Sequence, residues 1–266
     1  MRFLASCLCV LLSLSSAVWA GDGNLRPLDT GVVAGRWAAV GRINIGATGF
    51  CTGTLIADDL VLTAAHCLFD KETGARNDVA SIEFLAGWRN GRAEAYRGVT
   101  RALAHPDYEF EVGEDLANTG VDVALLRLDQ PIRLPQVTPF ATDAESRMGD
   151  EVGIVSYAKD RSEAPSLQEV CKIMAQRADL MILTCAVEFG ASGAPVFSIK
   201  DGQVRIVSVV SAKAEVAGKP VALAVPLQVP LAALQAEMAL DAPRATQGVK
   251  VLSGGSGGAK FVKVAP

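Results

Sequence analysis

Histidine, aspartate and serine side chains at three separate places in the chain have the types that nucleophilic catalysis needs. The chain of 266 residues has only two histidines, His66 and His105, so a histidine-based mechanism must use one of them. His66 follows an apolar stretch in TLIADDLVLTAAHC, and we expect Thr63 to cap a short helical turn that begins at Ala64. His105, in LAHPDY, precedes a proline, and we interpret it as a partly exposed loop residue.

Ser192 lies in the turn-forming sequence GASGAP, between Gly190 and Gly193. A serine hydroxyl becomes a good nucleophile only when a positioned base removes its proton. The glycines around it allow a tight turn whose backbone N–H groups converge on a developing oxyanion. Asp122 directly precedes an apolar stretch in GVDVALLRL, where it either caps a turn or accepts the ring N–H of a histidine and so fixes its tautomer.

The order of these residues decides between architectures for such a catalytic group. No histidine follows Ser192, so the order Ser, Asp and then His of α/β-hydrolases is excluded. The sequence GGSGG at 254–258 matches the G-x-S-x-G pattern of that fold, but no strand pattern precedes it and no apolar helix follows it. We interpret that match as a low-complexity coincidence, and the order that remains is His66, Asp122, Ser192.

These segments together resemble the motifs of the chymotrypsin/trypsin-like serine proteases, and in particular the bacterial V8-like (glutamyl endopeptidase-like) members. TGTLIADDLVLTAAHC is similar to the histidine motif of the family, DVALLRL to its aspartate motif and GASGAP to a variant of its serine motif. The resemblance covers roughly residues 37–240. It implies two perpendicular six-stranded antiparallel β-barrels with the catalytic cleft between them.

The resemblance also implies a mechanism for a serine endopeptidase. Ser192 would attack a peptide carbonyl, His66 would act first as base and then as acid, and Asp122 would orient His66. The N–H groups of Gly190 and Ser192 would form the oxyanion hole, and water would hydrolyse the acyl-enzyme. The mechanism requires no metal and no organic cofactor, and the expected substrates are proteins or peptides.

Ala191 departs from the family pattern, in which an aspartate before the serine pairs with a new N-terminal ammonium after activation cleavage. An alanine cannot accept that salt bridge, and VVAG at 32–35 follows Gly31 rather than Lys or Arg, so the usual activation site is absent. We expect Ser192 to become competent on folding, with any restraint coming from segment 21–36 or from a partner. The alternative is a catalytically silent pseudoprotease that acts as a binding or chaperone-like module.

Three positions are candidates for the substrate pocket. Counting back from Ser192 places Ala186 near the pocket base, where trypsins carry an aspartate, and this argues against a preference for Lys or Arg. Ser211 and Lys213 occupy the position of the pocket wall. The sequence leaves three interpretations of Lys213 open. It attracts an acidic substrate side chain, it partly obstructs the pocket, or it is a solvated surface lysine.

Many short β-rich stretches, separated by clusters of Gly, Pro, Asn and Asp, indicate an all-β fold rather than an α/β sheet. One short helix is predicted near the end, where Pro230 suits the first turn and Leu231, Leu234 and Met238 fall on one face. The predicted strands are 39–45, 52–56, 60–63, 81–84, 96–102, 123–128, 151–157, 180–185, 195–199, 204–211 and 220–225.

Residues 1–20 combine an early positive charge at Arg2, an apolar run and a favourable cleavage site after Ala20. This pattern predicts a cleaved signal peptide, so we expect a secreted or periplasmic protein. The remaining chain divides into four predicted parts. They are an N-terminal segment (21–36), a first barrel lobe (37–145), a second lobe with the C-terminal helix (146–241) and a flexible tail (242–266).

The formal net charge is −4, and one unit more negative without Arg2, so the chain has no basic footprint for nucleic acid or for an anionic membrane. No later apolar run is long enough to span a bilayer, and membrane insertion is not expected. We expect a monomer. The acidic stretch 107–115 is interpreted as a solvated loop, with calcium binding as the second alternative.

Four cysteines, Cys51, Cys67, Cys171 and Cys185, remain once the predicted signal peptide is removed. An even number in an exported chain indicates two disulfides, and three pairings are open. Local pairing would close two loops of about 15 residues. The family resemblance implies the bridge Cys51–Cys67, which pins the histidine turn, and it places Cys171–Cys185 in the bridge region of the second lobe. The chain has no close CxxC or HxxxH spacing of the kind that metal sites use.

Overall fold

The structure is a computed structural model that describes residues 25–46, 49–112, 118–142, 145–200 and 202–240. The predicted signal peptide (1–20) and the predicted tail (242–266) lie outside the described residues. Within the described ranges, no helix has the length and the apolar composition needed to cross a membrane.

The first described segment packs against the second half of the molecule. It comprises the strand β1 (Leu25–Pro27), the one-turn helix α1 (Gly31–Ala34) and a 3₁₀ turn (Gly35–Trp37). Leu28 and Trp37 are buried, and the ring of Trp37 lies 4.9 Å from the ring of Phe197. Apolar packing therefore anchors residues 25–37 in the folded body.

Six strands of the first half close into an antiparallel barrel. They are β2 (Val40–Ile45), β3 (Gly49–Ala57), β4 (Leu60–Thr63), β5 (Ile82–Ala86), β6 (Ala95–Ala104) and β7 (Ala124–Leu128). Their order around the barrel is β2-β3-β4-β7-β6-β5, and β5 pairs back with β2. Buried side chains, among them Leu55, Phe84 and Leu126, fill the interior.

The second half forms another closed antiparallel barrel of six strands. They are β8 (Glu151–Ala158), β9 (Arg161–Gln176), β10 (Met181–Leu183), β11 (Pro195–Lys200), β12 (Gln203–Val216) and β13 (Lys219–Pro226). The order β8-β9-β10-β13-β12-β11 closes on β8, and β1 pairs with β9 as an additional strand. The two barrels confirm the predicted all-β double-barrel fold.

A cluster of buried side chains joins the two barrels. It brings Leu62 and Leu125 of the first barrel together with Val155 and Val209 of the second. The helix α2 (Pro230–Leu240) contributes the predicted face to this cluster, which consists of Leu231, Leu234 and Met238. The short C-terminal helix is therefore confirmed.

The strand prediction missed two elements of the second barrel. No predicted strand corresponds to β1 or to β9, although β9, with 16 residues, is the longest strand of the described structure. Leu25 to Pro27 pair with residues 166–168 of β9, and the same part of β9 pairs with β8 on its other side. A segment of mixed polarity is thus buried between two neighbouring strands.

Candidate active site

His66 lies on a short 3₁₀ helix, Ala65–Leu68, that follows β4. No side chain caps this helix. The prediction that Thr63 caps the turn is wrong, because its hydroxyl donates instead to the backbone carbonyl of Thr52, at a distance of 2.9 Å. The turn that carries His66 is therefore connected to β3 by a buried hydrogen bond.

Both predicted disulfides are present. Cys51–Cys67 ties the helix of His66 to β3, and Cys171–Cys185 joins β9 to the segment after β10. Cys51, His66 and Cys67 are the only group of potential metal ligands within the described ranges. The two sulfur atoms of this group are bonded to each other, and the His66 ring is bonded to a carboxylate.

Asp122 contacts His66 through both carboxylate oxygens. It follows the 3₁₀ turn Thr119–Val121 and precedes β7. Its Oδ2 lies 2.7 Å from Nδ1 of His66, and its Oδ1 accepts the backbone N–H of His66 at 2.8 Å. Because an ionised carboxylate only accepts hydrogen bonds, Nδ1 carries a proton and Nε2 is the basic nitrogen of the neutral ring.

Ser211, on β12, donates a further hydrogen bond of 2.5 Å to Oδ2 of Asp122. Burial by itself would raise the pKa of Asp122. The positive charge that His66 carries when it is protonated, together with the hydrogen bonds from His66 and Ser211, outweighs burial and holds that pKa below its usual value. The carboxylate is therefore anionic at neutral pH. The sequence places Ser211 only in the pocket wall, and its contact with Asp122 was missed.

Ser192 lies in the turn between β10 and β11. The turn is closed by a hydrogen bond of 2.9 Å from the N–H of Ala191 to the carbonyl of Glu188. Gly190 and Gly193 have φ angles of 98° and 78°. Glycine adopts this left-handed region without the steric cost that other residues have, so the two glycines permit the tight turn.

Ser192 and His66 line the same cleft, together with Asp122. Among the residues that the structure describes, no hydrogen bond joins the Ser192 hydroxyl to the His66 ring. Catalytic hydrogen bonds of this kind often tighten only when substrate binds. The fold thus brings together the three residues of the predicted catalytic group, which are far apart in the chain.

The N–H groups of Gly190 and Ser192 have no acceptor among the described residues. The carbonyl of Phe189 accepts the N–H of Lys159 at 2.7 Å. Because the peptide bond is trans, the N–H of Gly190 points away from Lys159. Two unpaired N–H groups in one tight turn suit a negatively charged oxygen.

Ala191, which stands where the family pattern has an aspartate, is fully buried. Its methyl group belongs to an apolar cluster that includes Val187, Val196 and Val210. None of the described residues that make up this cluster carries a charge. The side chain before Ser192 is therefore an uncharged methyl group packed against apolar residues, and it cannot pair with an ammonium group.

The three candidate pocket residues have different positions. Ser211 and Lys213 line the cleft, whereas Ala186 is not among the described residues that do so. Its neighbour Val187 lines the cleft instead. The placement of Ala186 at the pocket base stays a prediction.

Lys213 makes two contacts at the rim of the cleft. Its ammonium lies 3.2 Å from a carboxylate oxygen of Glu188 and 4.2 Å from the centre of the Phe189 ring. All three side chains are exposed. Lys213 is therefore a rim residue with a solvated ion pair, and its side chain is held over an aromatic face.

Tyr108 and Phe110 also line the cleft, and the sequence prediction missed both. Burial, and then the charge of Asp122, raises the pKa of Tyr108, so its hydroxyl stays protonated at neutral pH. His105 was expected to be partly exposed but is buried, and its backbone N–H donates to the carbonyl of Val123 beside β7. Tyr108 of the LAHPDY segment is thus part of the cleft wall, and this aromatic residue was the signal available in the sequence.

The sequence profile described as a trypsin-like peptidase domain matches residues 51–205, more than half of the chain. A glutamyl endopeptidase of Bacillus licheniformis is 26% identical over 186 residues, which are 70% of this chain and 55% of that protein. The serine proteinase stubble of Drosophila melanogaster is 31% identical over 129 residues, which are 43% of this chain and 15% of that protein. The chain thus spans about half the length, or less, of these curated relatives.

A solved structure described as Glu endopeptidase in complex with MPD has the same fold. It superposes with a TM-score of 0.66 at 18% identity, and the match covers 82% of this chain and 98% of that one. The profile match extends from Cys51, next to the histidine motif, to beyond Ser192. With the double barrel and this match together, the chain belongs to the family of trypsin-like peptidase domains.

Proposed function

We propose that the protein is an exported serine endopeptidase that uses His66, Asp122 and Ser192. The observation that carries the proposal is the buried Asp122 carboxylate, bonded to Nδ1 of His66 at 2.7 Å in the same cleft as Ser192. Export is supported by the signal-peptide pattern at 1–20 and by the two disulfides, which form in oxidising compartments. Proteins or peptides are the substrates.

In the proposed reaction, Nε2 of His66 removes the hydroxyl proton of Ser192 as Oγ attacks the peptide carbonyl. Asp122 holds the ring in the required tautomer and stabilises the imidazolium. The N–H groups of Gly190 and Ser192 bind the negative oxygen of the tetrahedral intermediate. His66 then protonates the leaving amine. A water molecule, deprotonated in turn by His66, attacks the acyl-enzyme and releases the new carboxyl end.

In this proposal, Ser192 needs no activation cleavage. Ala191 has no carboxylate with which to form the ion pair of trypsin-like zymogens. None of the described residues 25–37 lines the cleft, and burial of Leu28 and Trp37 anchors this segment elsewhere. The expectation that segment 21–36 restrains Ser192 therefore finds no support in residues 25–36. The nucleophile is competent as soon as the chain has folded.

Lys213 is the residue that we propose to favour acidic substrate side chains. Its ion pair with Glu188 is solvent-exposed and therefore weak, so a substrate carboxylate can replace Glu188. The relative from Bacillus licheniformis carries the name glutamyl endopeptidase. Lys213→Met should lower kcat/KM for a peptide cleaved after Glu more than for one cleaved after Leu. Lys219→Met, at an exposed lysine on β13 that is not among the residues lining the cleft, is the control, and equal losses on both peptides for Lys213→Met would contradict this role.

Digestion of a quenched peptide library by the purified mature chain tests the proposed function. Wild type should cleave, and Ser192→Ala should reduce the rate by at least about 10³-fold. Cleavage that survives in Ser192→Ala would show that another group is the nucleophile. A folded wild type that cleaves nothing but binds a partner would support the pseudoprotease alternative.

A further inference from the structure

Thr52, on β3, connects the two barrels through its hydroxyl and its backbone N–H. Its side chain is fully buried. The hydroxyl donates to the carbonyl of Gly190 at 2.8 Å and accepts the N–H of Tyr157 at 3.1 Å. Its backbone N–H donates to the carbonyl of Ser192 at 2.9 Å, and its carbonyl accepts the hydroxyl of Thr63. One residue thus holds the Ser192 turn against the strand that leads to His66.

The turn of residues 188–193, here called the oxyanion loop, is fixed at both peptide planes of Gly190. Lys159 holds the carbonyl before this glycine, and the Thr52 hydroxyl holds the carbonyl after it. A glycine by itself rotates freely between left-handed and right-handed conformations. The Lys159 bond fixes the plane that contains the unpaired Gly190 N–H, and the Thr52 bond fixes the next plane, so together they prevent rotation about this glycine.

We propose that Thr52 is the positioning residue that keeps the oxyanion loop in its anion-binding conformation. No ion pair can hold the loop at the position before Ser192, because Ala191 is uncharged and packs among apolar residues. The Thr52 hydroxyl and backbone N–H supply that restraint from the first barrel. This inference rests on the proposed peptidase function, in which the N–H groups of Gly190 and Ser192 bind the developing negative charge.

Thr52→Val keeps the shape of the side chain and removes its hydroxyl. The buried carbonyl of Gly190 and the N–H of Tyr157 then lose their partner, and the loop relaxes to satisfy them. A misplaced oxyanion donor acts on the transition state more than on bound substrate. We expect kcat to fall about 10- to 100-fold with KM changed less than about twofold, and Thr52→Ser to restore kcat to within about threefold of wild type.

Thr54→Val is the matched control. Thr54 lies on the same strand and is also fully buried, but its hydroxyl donates to Ala39 at 3.4 Å, away from the oxyanion loop. The Thr54→Val variant should have the kcat of the wild type. Thr52→Ala, which also lacks the hydroxyl, replaces Thr52→Val if the valine variant does not fold.

The experiment combines steady-state kinetics with nitrogen–proton correlation spectra of all variants. Thr52→Val should shift the amide resonances of Gly190 and Ser192, whereas Thr54→Val should leave them in place. The inference is overturned if Thr52→Val matches Thr54→Val in kcat and in these resonances. A folded wild type without activity would contradict the proposed function and leave the positioning role of Thr52 to be tested by the spectra. The spectra then decide separately whether Thr52 positions the loop, and unmoved resonances reject that role.

Discussion

At the scale of single residues, Asp122 determines which form of His66 is present. Only 4% of its side chain is exposed, so an unpaired charge there would be strongly unfavourable. Hydrogen bonds from the His66 ring, the His66 backbone and Ser211 compensate for the lost hydration. The ionised carboxylate in turn selects the tautomer in which Nε2 is the base.

Replacing this carboxylate by an amide should abolish most activity. In Asp122→Asn, an amide that presents N–H to Nδ1 would favour the tautomer with the proton on the wrong nitrogen. We expect kcat to fall by about 10⁴-fold, as measured with a cleaved peptide from the library. Ser211→Ala keeps the carboxylate and should cause a much smaller loss. Comparable losses in the two variants would contradict the tautomer argument.

The same carboxylate should also contribute to stability in a defined pH range. The pKa of Asp122 is lowered in the folded state because the His66 and Ser211 contacts outweigh burial. Its contribution is therefore complete above the ordinary aspartate pKa of about 3.9 and is lost as the pH falls through the lower folded value. Urea unfolding between about pH 5 and pH 3 should show a steeper loss of stability for wild type than for Asp122→Asn. Parallel curves would mean that the carboxylate titrates as it does in the unfolded chain.

The sequence was sufficient to predict His66, Asp122 and Ser192 as one group, and the three residues line one cleft, because each lies in a short motif with its own local pattern. The residues that support them could not be found in this way. Ser211 is 89 positions from Asp122, and Thr52 is 138 positions from Gly190. Such contacts depend on how the barrels pack, and no local spacing in the chain encodes them.

At the scale of elements, the oxyanion loop needs a glycine at position 193 for two reasons, which are the backbone conformation and the lack of space for a side chain. Gly193 has a positive φ of 78°, and a Cβ there would lie 2.1 Å from the Thr63 hydroxyl and 2.3 Å from the Thr52 carbonyl. Gly202 has a similar φ of 75°, but a Cβ there would meet nothing within 4 Å. The two positions separate backbone strain from steric conflict.

Gly193→Ala should therefore destabilise the protein much more than Gly202→Ala. The second change adds only the strain of a left-handed alanine, about 1 to 2 kcal/mol. The first adds a clash with backbone in the centre of the molecule, and we expect it to lower the free energy of unfolding by more than about 3 kcal/mol. Urea unfolding curves measure both. Equal destabilisation would show that the loop can move away from β3 at little cost.

The missed strand β9 shows where pattern reading fails. Its residues 165–168 include Pro165, Ser166 and Gln168 but are all buried. They are buried because β1 and β8 pair with both edges of β9 there. The strand signal in a sequence is an apolar alternation, and this segment lacks it. The three-residue β1 has no signal of its own, since it forms only against β9. The strand β4 is a short continuous apolar run, and it was predicted with the observed bounds.

At the scale of the whole molecule, the two disulfides should contribute equally to stability but unequally to kcat. They close loops with sequence separations of 16 and 14, so each should contribute about 3 kcal/mol in the chain-entropy model. Replacing Cys171 and Cys185 by alanine should lower stability and leave kcat nearly unchanged. Replacing Cys51 and Cys67 should lower stability by a similar amount and also lower kcat, because Cys67 is adjacent to His66. Unfolding curves and kinetics of both variants test this, and equal kcat values would contradict it.

The central claim is that Ser192 is an assembled nucleophile as soon as the chain folds, without an N-terminal ion pair. Labelling of the refolded, disulfide-bonded chain from residue 21 with a fluorophosphonate, read by intact mass, tests it most directly. We predict one covalent addition on wild type without protease treatment, and none on Ser192→Ala or His66→Ala. No addition on a folded wild type, or addition only after the N-terminal segment is trimmed, would contradict the claim.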